Sequence, residues 1–274
     1  MMAPAVTVLA AVALYPTFAS IALSFQRLIL VFHEQRFVGA GNYAFLLRDA
    51  RFWGALRNTV YFTLVSVAAE LCIGLAIALL LHARPPARTL LRAAILVPWA
   101  VPTVVSARMW AWFFTREPSR LWSVVSLPDI AWLGTPGYAM HAAILVDVWK
   151  TTPFVALLLL AGLSGIPSSL YEAAVLDGAS RVRTFFSVTL PLLRPILAVT
   201  ALLRTLDAFR VFDVVYVLTE GGPANTTETL SIYAYKTMMR AGDFGYGSAL
   251  SVMTFLCVLL LGAAYFVWMP REDR

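Results

Sequence analysis

Apolar residues gather in six long blocks, near 4–26, 58–82, 93–115, 138–162, 195–217 and 246–269. Each can cross a bilayer as a helix, which takes about 20 residues. The hydrocarbon offers no water to free backbone groups, so blocks of this length close their own hydrogen bonds as helices rather than as barrel strands. The pattern predicts an all-α integral membrane protein with six transmembrane helices and both termini on one side. The first block is too long for the apolar core of a secretory signal, has no basic residues ahead of it and leads to no persuasive cleavage site. It reads as a true span, and the MMAPAV start leaves no room for a cytosolic tail before it.

Polar and turn-forming positions mark shorter elements. GNYAFLLRDARFWGAL, within the long connection 27–57, predicts an amphipathic helix resting at the membrane surface. PWAVP at 98–102 and TTP at 151–153 predict kinks that free backbone groups inside spans three and four. The connection 163–194 reads LSGIPSSLYEAAVLDGASRVRTFFSVTLPLLR. There Ser169-x-x-Glu172 has the form of a capping box after Pro167, and Gly178 suits the position that ends a helix. Ala173 and Ala174 keep one side of this helix slim. A second short helix is expected from Ser180, carrying Phe185 and Phe186 toward Leu190-Pro191. A capped helix in such a loop is either a linker or a docking peg for a soluble partner.

Composition agrees with the membrane reading: 60% of the 274 residues are hydrophobic and 13% charged, against about 25% charged in soluble domains. Cys72 and Cys257 fall inside predicted spans, where buried thiols without a disulfide are expected. The net charge of +6 is spread through the connections rather than clustered, which argues against nucleic acid. With the termini inside, inner segments hold Arg84, Arg88, Arg92, Arg181, Arg183, Arg194, Arg271 and Arg274, and outer segments hold nine Lys or Arg. Charge alone leaves the orientation nearly tied, with a lean from the acid-free RPPARTLLR at 84–92.

Charge inside the fifth block changes the picture most. LLRTLDAFRVFDVVYVL at 202–218 carries Arg204, Asp207, Arg210 and Asp213, three apart and alternating in sign. Each charge at a helix centre costs about 2.5–3.5 kcal/mol. Neighbours three apart can pair and offset much of that. On one helix Arg204 and Asp213 would lie on opposite sides and about 14 Å apart along the axis, so one flat seam cannot cover the whole ladder. It is either a structural ion-pair network or part of a watery solute site. In the second case carboxylates would accept from vicinal sugar hydroxyls, a guanidinium would donate, and aromatic faces would stack on the sugar ring. Asp147 and Lys150 form a second pair in span four, with Lys150 placed to neutralise Asp147 or Asp207. Glu70 and Arg108 are expected as bundle partners.

Glu172-Ala173-Ala174, Asp177-Gly178-Ala179 and Val188-x-Leu190-Pro191 together resemble the EAA loop of ABC importer permeases. FVGAGNY at 37–43 and VLTEGGP at 217–223 resemble the carbohydrate branch, the maltose-transporter type, and VWKTTPF and RTLDAFRVFD resemble its trehalose-importing members. The likeness covers nearly the whole chain, most strongly 57–270. It implies an ABC type I importer permease fold with a cytosolic EAA coupling helix. An N-terminal helix and extracytoplasmic segment, 1–56, would precede a core permease domain, 57–274. Glu172 would be the charged contact to an ATPase subunit, with Ala173, Ala174, Asp177 and Gly178 shaping that contact. Alignment on Leu218-Thr219 and Gly221-Gly222-Pro223 carries sugar contacts to Leu203, Leu206, Asp207 and Arg210. Alignment on Trp149 and Pro153 adds Asp147, Thr151 and Phe154. Leu203 stands where the family has a polar side chain and Leu206 where it has an aromatic.

The resemblance further implies a bacterial or archaeal cytoplasmic membrane location with both termini cytoplasmic. The implied partners are a second permease subunit, two cytosolic ATP-binding subunits, an extracytoplasmic solute-binding protein or lipoprotein, membrane lipid and a sugar such as trehalose or maltose. ATP and Mg would be bound by the partner subunits, with no cofactor in this chain. The residues agree on that point: neither Lys150 nor Lys236 follows glycine, so there is no Walker A sequence. Rival readings fare worse. Gly162-Leu163-Ser164-Gly165 matches the rhomboid-protease pattern, but His33, His82 and His141 all precede the serine. No HExxH is present, and no inverted repeat supports a proton-coupled secondary transporter. The remaining alternative is an importer of glycerol-phosphate-type solutes, with Arg210 taking the phosphate.

Overall fold

The computed structural model describes residues 3–83, 86–115 and 131–268. The chain opens with α1 (Ala3–Ser24), which holds Pro16 within it. A small antiparallel hairpin follows, β1 (Gln26–Ile29) on β2 (Glu34–Phe37), with Gln26 opposite Phe37. This is the one departure from an all-α chain among the described residues. Its tight turn depends on His33 in a left-handed conformation (φ 51°), which the residue type scarcely announces.

The surface helix expected over GNYAFLLRDARFWGAL divides in two. α2 (Gly41–Arg48) ends at Asp49, and Asp49 caps the next helix by accepting from the Arg51 amide at 2.9 Å. That helix, α3 (Ala50–His82), begins eight residues before the expected span and runs unbroken past the expected domain boundary at 56/57. Cys72, expected to be buried, lies on its exposed side.

The third block is not one helix. α4 (Arg88–Ala100) and α5 (Thr103–Thr115) meet at a 90° bend. Pro102 has no amide to donate and pushes Val101 into an extended conformation (φ −73°, ψ 133°). α6 (Tyr138–Ser164) matches expectation closely, and its Pro153 stays inside the helix. Three short elements follow in the 163–194 connection: α7 (Ser168–Leu176), α8 (Arg181–Thr184) and a π turn over Phe185–Thr189. The turn feeds α9 (Leu190–Ala208) without a break. The fifth span is therefore Arg181–Ala208 rather than 195–217. Beyond it lie α10 (Asp213–Leu218), α11 (Leu230–Tyr235) and α12 (Phe244–Trp268).

Among the described residues four helices are long and apolar enough to cross a membrane, or five if the bent pair counts as one span. α1 adds a shorter apolar stretch, Ala10–Ser24. Arg84, Arg271 and Arg274, used in weighing orientation, lie outside the described residues.

Close backbone approach fixes the central crossings. A Cβ at Gly74 of α3 would stand 2.6 Å from Val155 Cγ1 of α6, and one at Gly162 of α6 would stand 2.5 Å from Ile196 Cγ2 of α9. Glycine at these two points lets three spans pack as one unit around Leu159, Leu163 and Leu193, all fully buried. A second apolar core joins α3, α5, α6 and α10 around Phe62, Val146 and Val215. These contacts position the walls of the cavity described next.

Candidate functional site

A cavity of about 650 Å³ opens between the α4–α5 corner, α6 and the end of α9. Trp99 and Thr103 line it from the corner. Asp147, Lys150, Thr151 and Phe154 line it from α6, and Leu203, Arg204, Asp207, Arg210 and Asp213 from α9 and the segment beyond.

Arg204 organises its floor. The guanidinium Nε donates to Glu70 Oε2 at 2.6 Å and Nη2 to Glu70 Oε1 at 3.0 Å, a two-pronged pair across α9 and α3. Nη2 also reaches Asp147 Oδ2 at 3.3 Å, and Nη1 donates to Asp207 Oδ2 at 2.5 Å. The Thr151 hydroxyl lies 2.7 Å from Glu70 Oε1. Glu70 is fully buried and the Arg204 side chain only 4% exposed, whereas Asp207 is 65% exposed toward the cavity. One guanidinium thus ties three spans together and presents a carboxylate to the open space. Glu70 is a bundle partner as expected, but its cation is Arg204; Arg108 is exposed.

Lys150 does not pair with a carboxylate. Its ammonium donates to the Val101 carbonyl at 2.6 Å and contacts the Trp99 carbonyl at 3.4 Å. These are the last carbonyls of α4, which have no helical partner once Pro102 ends the helix. The Trp99 ring stacks on Phe154, with centroids 6.2 Å apart and planes 16° from parallel, and forms an aromatic wall.

The charged ladder is not one helical face. α9 ends at Ala208, the chain tightens through short-range bonds at Arg210 and Val211, and α10 begins at Asp213. Thr229 donates its hydroxyl to the freed Val211 carbonyl at 3.3 Å. Arg210 Nε bonds the Leu206 carbonyl at 3.1 Å rather than a neighbouring carboxylate. Even so, the break leaves Arg204, Asp207, Arg210 and Asp213 all lining the cavity.

Six of the seven expected contact residues meet there: Asp147, Thr151, Phe154, Leu203, Asp207 and Arg210. Leu206 is the exception. Its Cδ2 lies 4.0 Å from where a Cβ on Gly262 would stand, so it packs toward α12. Trp99 was missed by sequence reasoning, although PWAVP marked the corner that carries it.

The 163–194 connection places a second candidate surface. α7 starts two residues earlier than the capping box requires. Pro167 occupies the cap position, and no side chain caps the helix. Its end follows expectation. Gly178 takes φ +72°, its amide donates to Val175 O at 3.0 Å, and the Ala179 amide donates to Ala174 O at 2.9 Å, the paired bonds of a Schellman motif. Glu172, Ala173, Asp177 and Gly178 are exposed, and Ala174 is turned inward. Ser180 caps α8 by accepting from the Arg183 amide at 3.3 Å. Val175, Leu176, Val182 and Phe186 add exposed apolar surface beside the acidic residues.

On the face that holds the hairpin, Glu228 is buried between Arg51 Nε at 2.7 Å and Lys236 Nζ at 2.7 Å, with Arg51 Nη2 at 2.9 Å. Burial works against its charge. The two cations more than offset that and hold the carboxyl below its ordinary range. Asp49, on the same face, accepts from the Tyr233 hydroxyl at 2.6 Å and the Tyr246 hydroxyl at 2.7 Å.

The profile of the family described as the binding-protein-dependent transport system inner membrane component matches residues 70–274. The chain is 45% identical, over 97% of its length and 90% of the relative's, to the trehalose/maltose transport system permease protein MalF of Thermococcus litoralis. It is 38% identical to the sulfoquinovosyl glycerol transport system permease protein SmoG of Agrobacterium fabrum, over 100% of the chain and 90% of the relative. To the trehalose transport system permease protein SugA of Mycobacterium tuberculosis it is 40% identical, over 95% of the chain and 84% of the relative. In fold it is similar to a chain from the crystal structure of a bacterial ABC transporter involved in import of the acidic polysaccharide alginate. There the TM-score is 0.81 at 19% identity, covering 99% of this chain and 94% of that one.

Proposed function

This chain belongs to the binding-protein-dependent transport system inner membrane component family, and we propose that it is the membrane-spanning subunit of an ATP-driven saccharide importer. The observation that carries the saccharide reading is the cavity wall. Asp207 and Asp213 offer acceptors to hydroxyls, Arg210 offers donors, and the Trp99–Phe154 stack offers an apolar face to a sugar ring. The names of relatives that carry trehalose and maltose point the same way. Sulfoquinovosyl glycerol, named for another relative, keeps an anionic glycerol derivative, as a glycerol phosphate also is, as the second reading, with Arg210 as the anion's partner.

In this proposal the chain makes and breaks no covalent bond. α7 is the handle. Exposed Glu172 and Asp177, flanked by Val175 and Leu176, would seat in a cleft on a cytosolic ATP-binding subunit that holds ATP and Mg. The opposite face, with the hairpin and the 219–229 loop, would meet the extracytoplasmic binding protein. The corner-bent pair and α1 would complete six spans, with both termini cytoplasmic and a second permease alongside. Closure of the ATPases would pull α7 and rock α6 and α9, whose middle and end respectively line the cavity.

Two substitutions test this. Glu172→Lys is expected to abolish uptake while the subunit still inserts. Sugar-stimulated ATP hydrolysis at the normal rate in that variant would refute the handle. Asp207→Ala is expected to cut sugar uptake at least tenfold while the ATPases copurify; unchanged uptake across a sugar panel would make the cavity carboxylate structural.

A further inference from the structure

The charges around the cavity differ in what they have left to offer. Of its three cations, Arg204 spends Nε, Nη1 and Nη2 on Glu70, Asp147 and Asp207. Lys150 is turned to the Trp99 and Val101 carbonyls. Arg210 alone keeps free guanidinium nitrogens, since among the described residues only its Nε has a partner. Among the anions, Asp207 and Asp213 are exposed to the cavity, and Asp213 has no hydrogen-bond or ion-pair partner among the described residues. A solute entering this half of the passage therefore meets two open carboxylates and one open guanidinium.

We infer that the cavity selects uncharged saccharides over anionic ones, and that Asp213 is the residue that sets this preference. The inference rests on the saccharide reading and narrows it. Two carboxylates and a guanidinium match a neutral polyol, whose hydroxyls can both donate and accept. A phosphate or sulfonate would gain one charge-assisted pair with Arg210 and face two like charges, which is discrimination by repulsion rather than by attraction alone. Asp207 shares the Arg204 guanidinium, whereas Asp213 has no cation beside it among the described residues, so Asp213 carries the larger share of the repulsion.

Binding measured directly on the membrane complex in lipid nanodiscs, without the soluble binding protein, keeps that receptor's own selectivity out of the result. The probes are trehalose, maltose and their 6-phosphates. The complex is expected to prefer each parent sugar over its phosphate at least tenfold at low ionic strength, and the preference should shrink as salt screens the carboxylates. Asp213→Asn is expected to narrow the ratio at least threefold, and Arg210→Gln to widen it. Phosphates that bind as well as their parents, or a ratio that Asp213→Asn leaves unchanged, would overturn the inference while leaving the saccharide reading standing. Failure of both parents and phosphates to bind would overturn the two together.

Discussion

Arg204 shows how an ion is held inside a hydrocarbon layer: it survives because nearly every donor has a carboxylate. Removing one partner of such a buried pair typically costs about 3–5 kcal/mol, because the other charge is left stranded. Arg204→Leu is therefore expected to destabilise the complex by about that amount, read as a lowered unfolding midpoint in detergent. Combining it with Glu70→Leu should recover part of the loss, and a double-mutant cycle that shows no coupling would contradict the pairing. Glu228 gives a pH signature on the face that holds the hairpin. Its folded carboxyl is depressed by Arg51 and Lys236, so its contribution is fully present above the unfolded pKa and is lost as pH falls through the folded value. The melting difference between the natural chain and Glu228→Gln is expected to be largest above about pH 5 and to vanish in stronger acid.

Elements were legible where a single local rule governed them. α12 follows from uninterrupted apolar length, α6 from apolar length in spite of Asp147, Lys150 and Pro153, and the end of α7 from Gly178. A Cβ at Gly178 would meet nothing within 4 Å, so a substitution there costs only the left-handed backbone, about 1–2 kcal/mol. Gly178→Ala is expected to fray α7 and reduce uptake with insertion unchanged, and Gly178→Asn to do less harm. Elements went unread where distant contacts decided them. The hairpin is secured by the Leu30 amide on Gly242 O at 3.0 Å, far along the chain. The ladder reads as continuous helix, but Thr229 takes the Val211 carbonyl and stabilises the break. PWAVP signalled a kink; a right-angled corner also needed Lys150 to satisfy the freed carbonyls. The candidate contacts were legible by residue type and alignment, while Leu206 and Trp99 depended on which way each helix face turned.

Among the described residues, polar chemistry is layered: a salt-bridged face beside the hairpin, a charged cavity between spans, and an acidic-apolar helix at α7. The spans differ in how much they cover one another. Only 17% of the apolar window of Arg181–Ala208 and 11% of that of Phe244–Val267 is buried within the chain, against 56% for Tyr138–Ser164. The two open spans leave most of their apolar windows uncovered among the described residues. If the proposed second permease covers them, coexpression with it is expected to raise the yield and melting temperature of this chain in detergent; equal stability alone would argue against a permease pair.

The corner at Val101–Pro102 also shapes the field of the passage. An intact span would deliver its helix dipole to the membrane surfaces. Here α4 stops short, and its last carbonyls leave roughly half a negative charge against the cavity wall. The ammonium of Lys150 neutralises that end at close range. Sliding α4 past α6 by one helical turn, about 5.4 Å, would pull these opposite poles apart. In the proposed transport cycle, any opening that moved this wall would have to separate these opposite poles first.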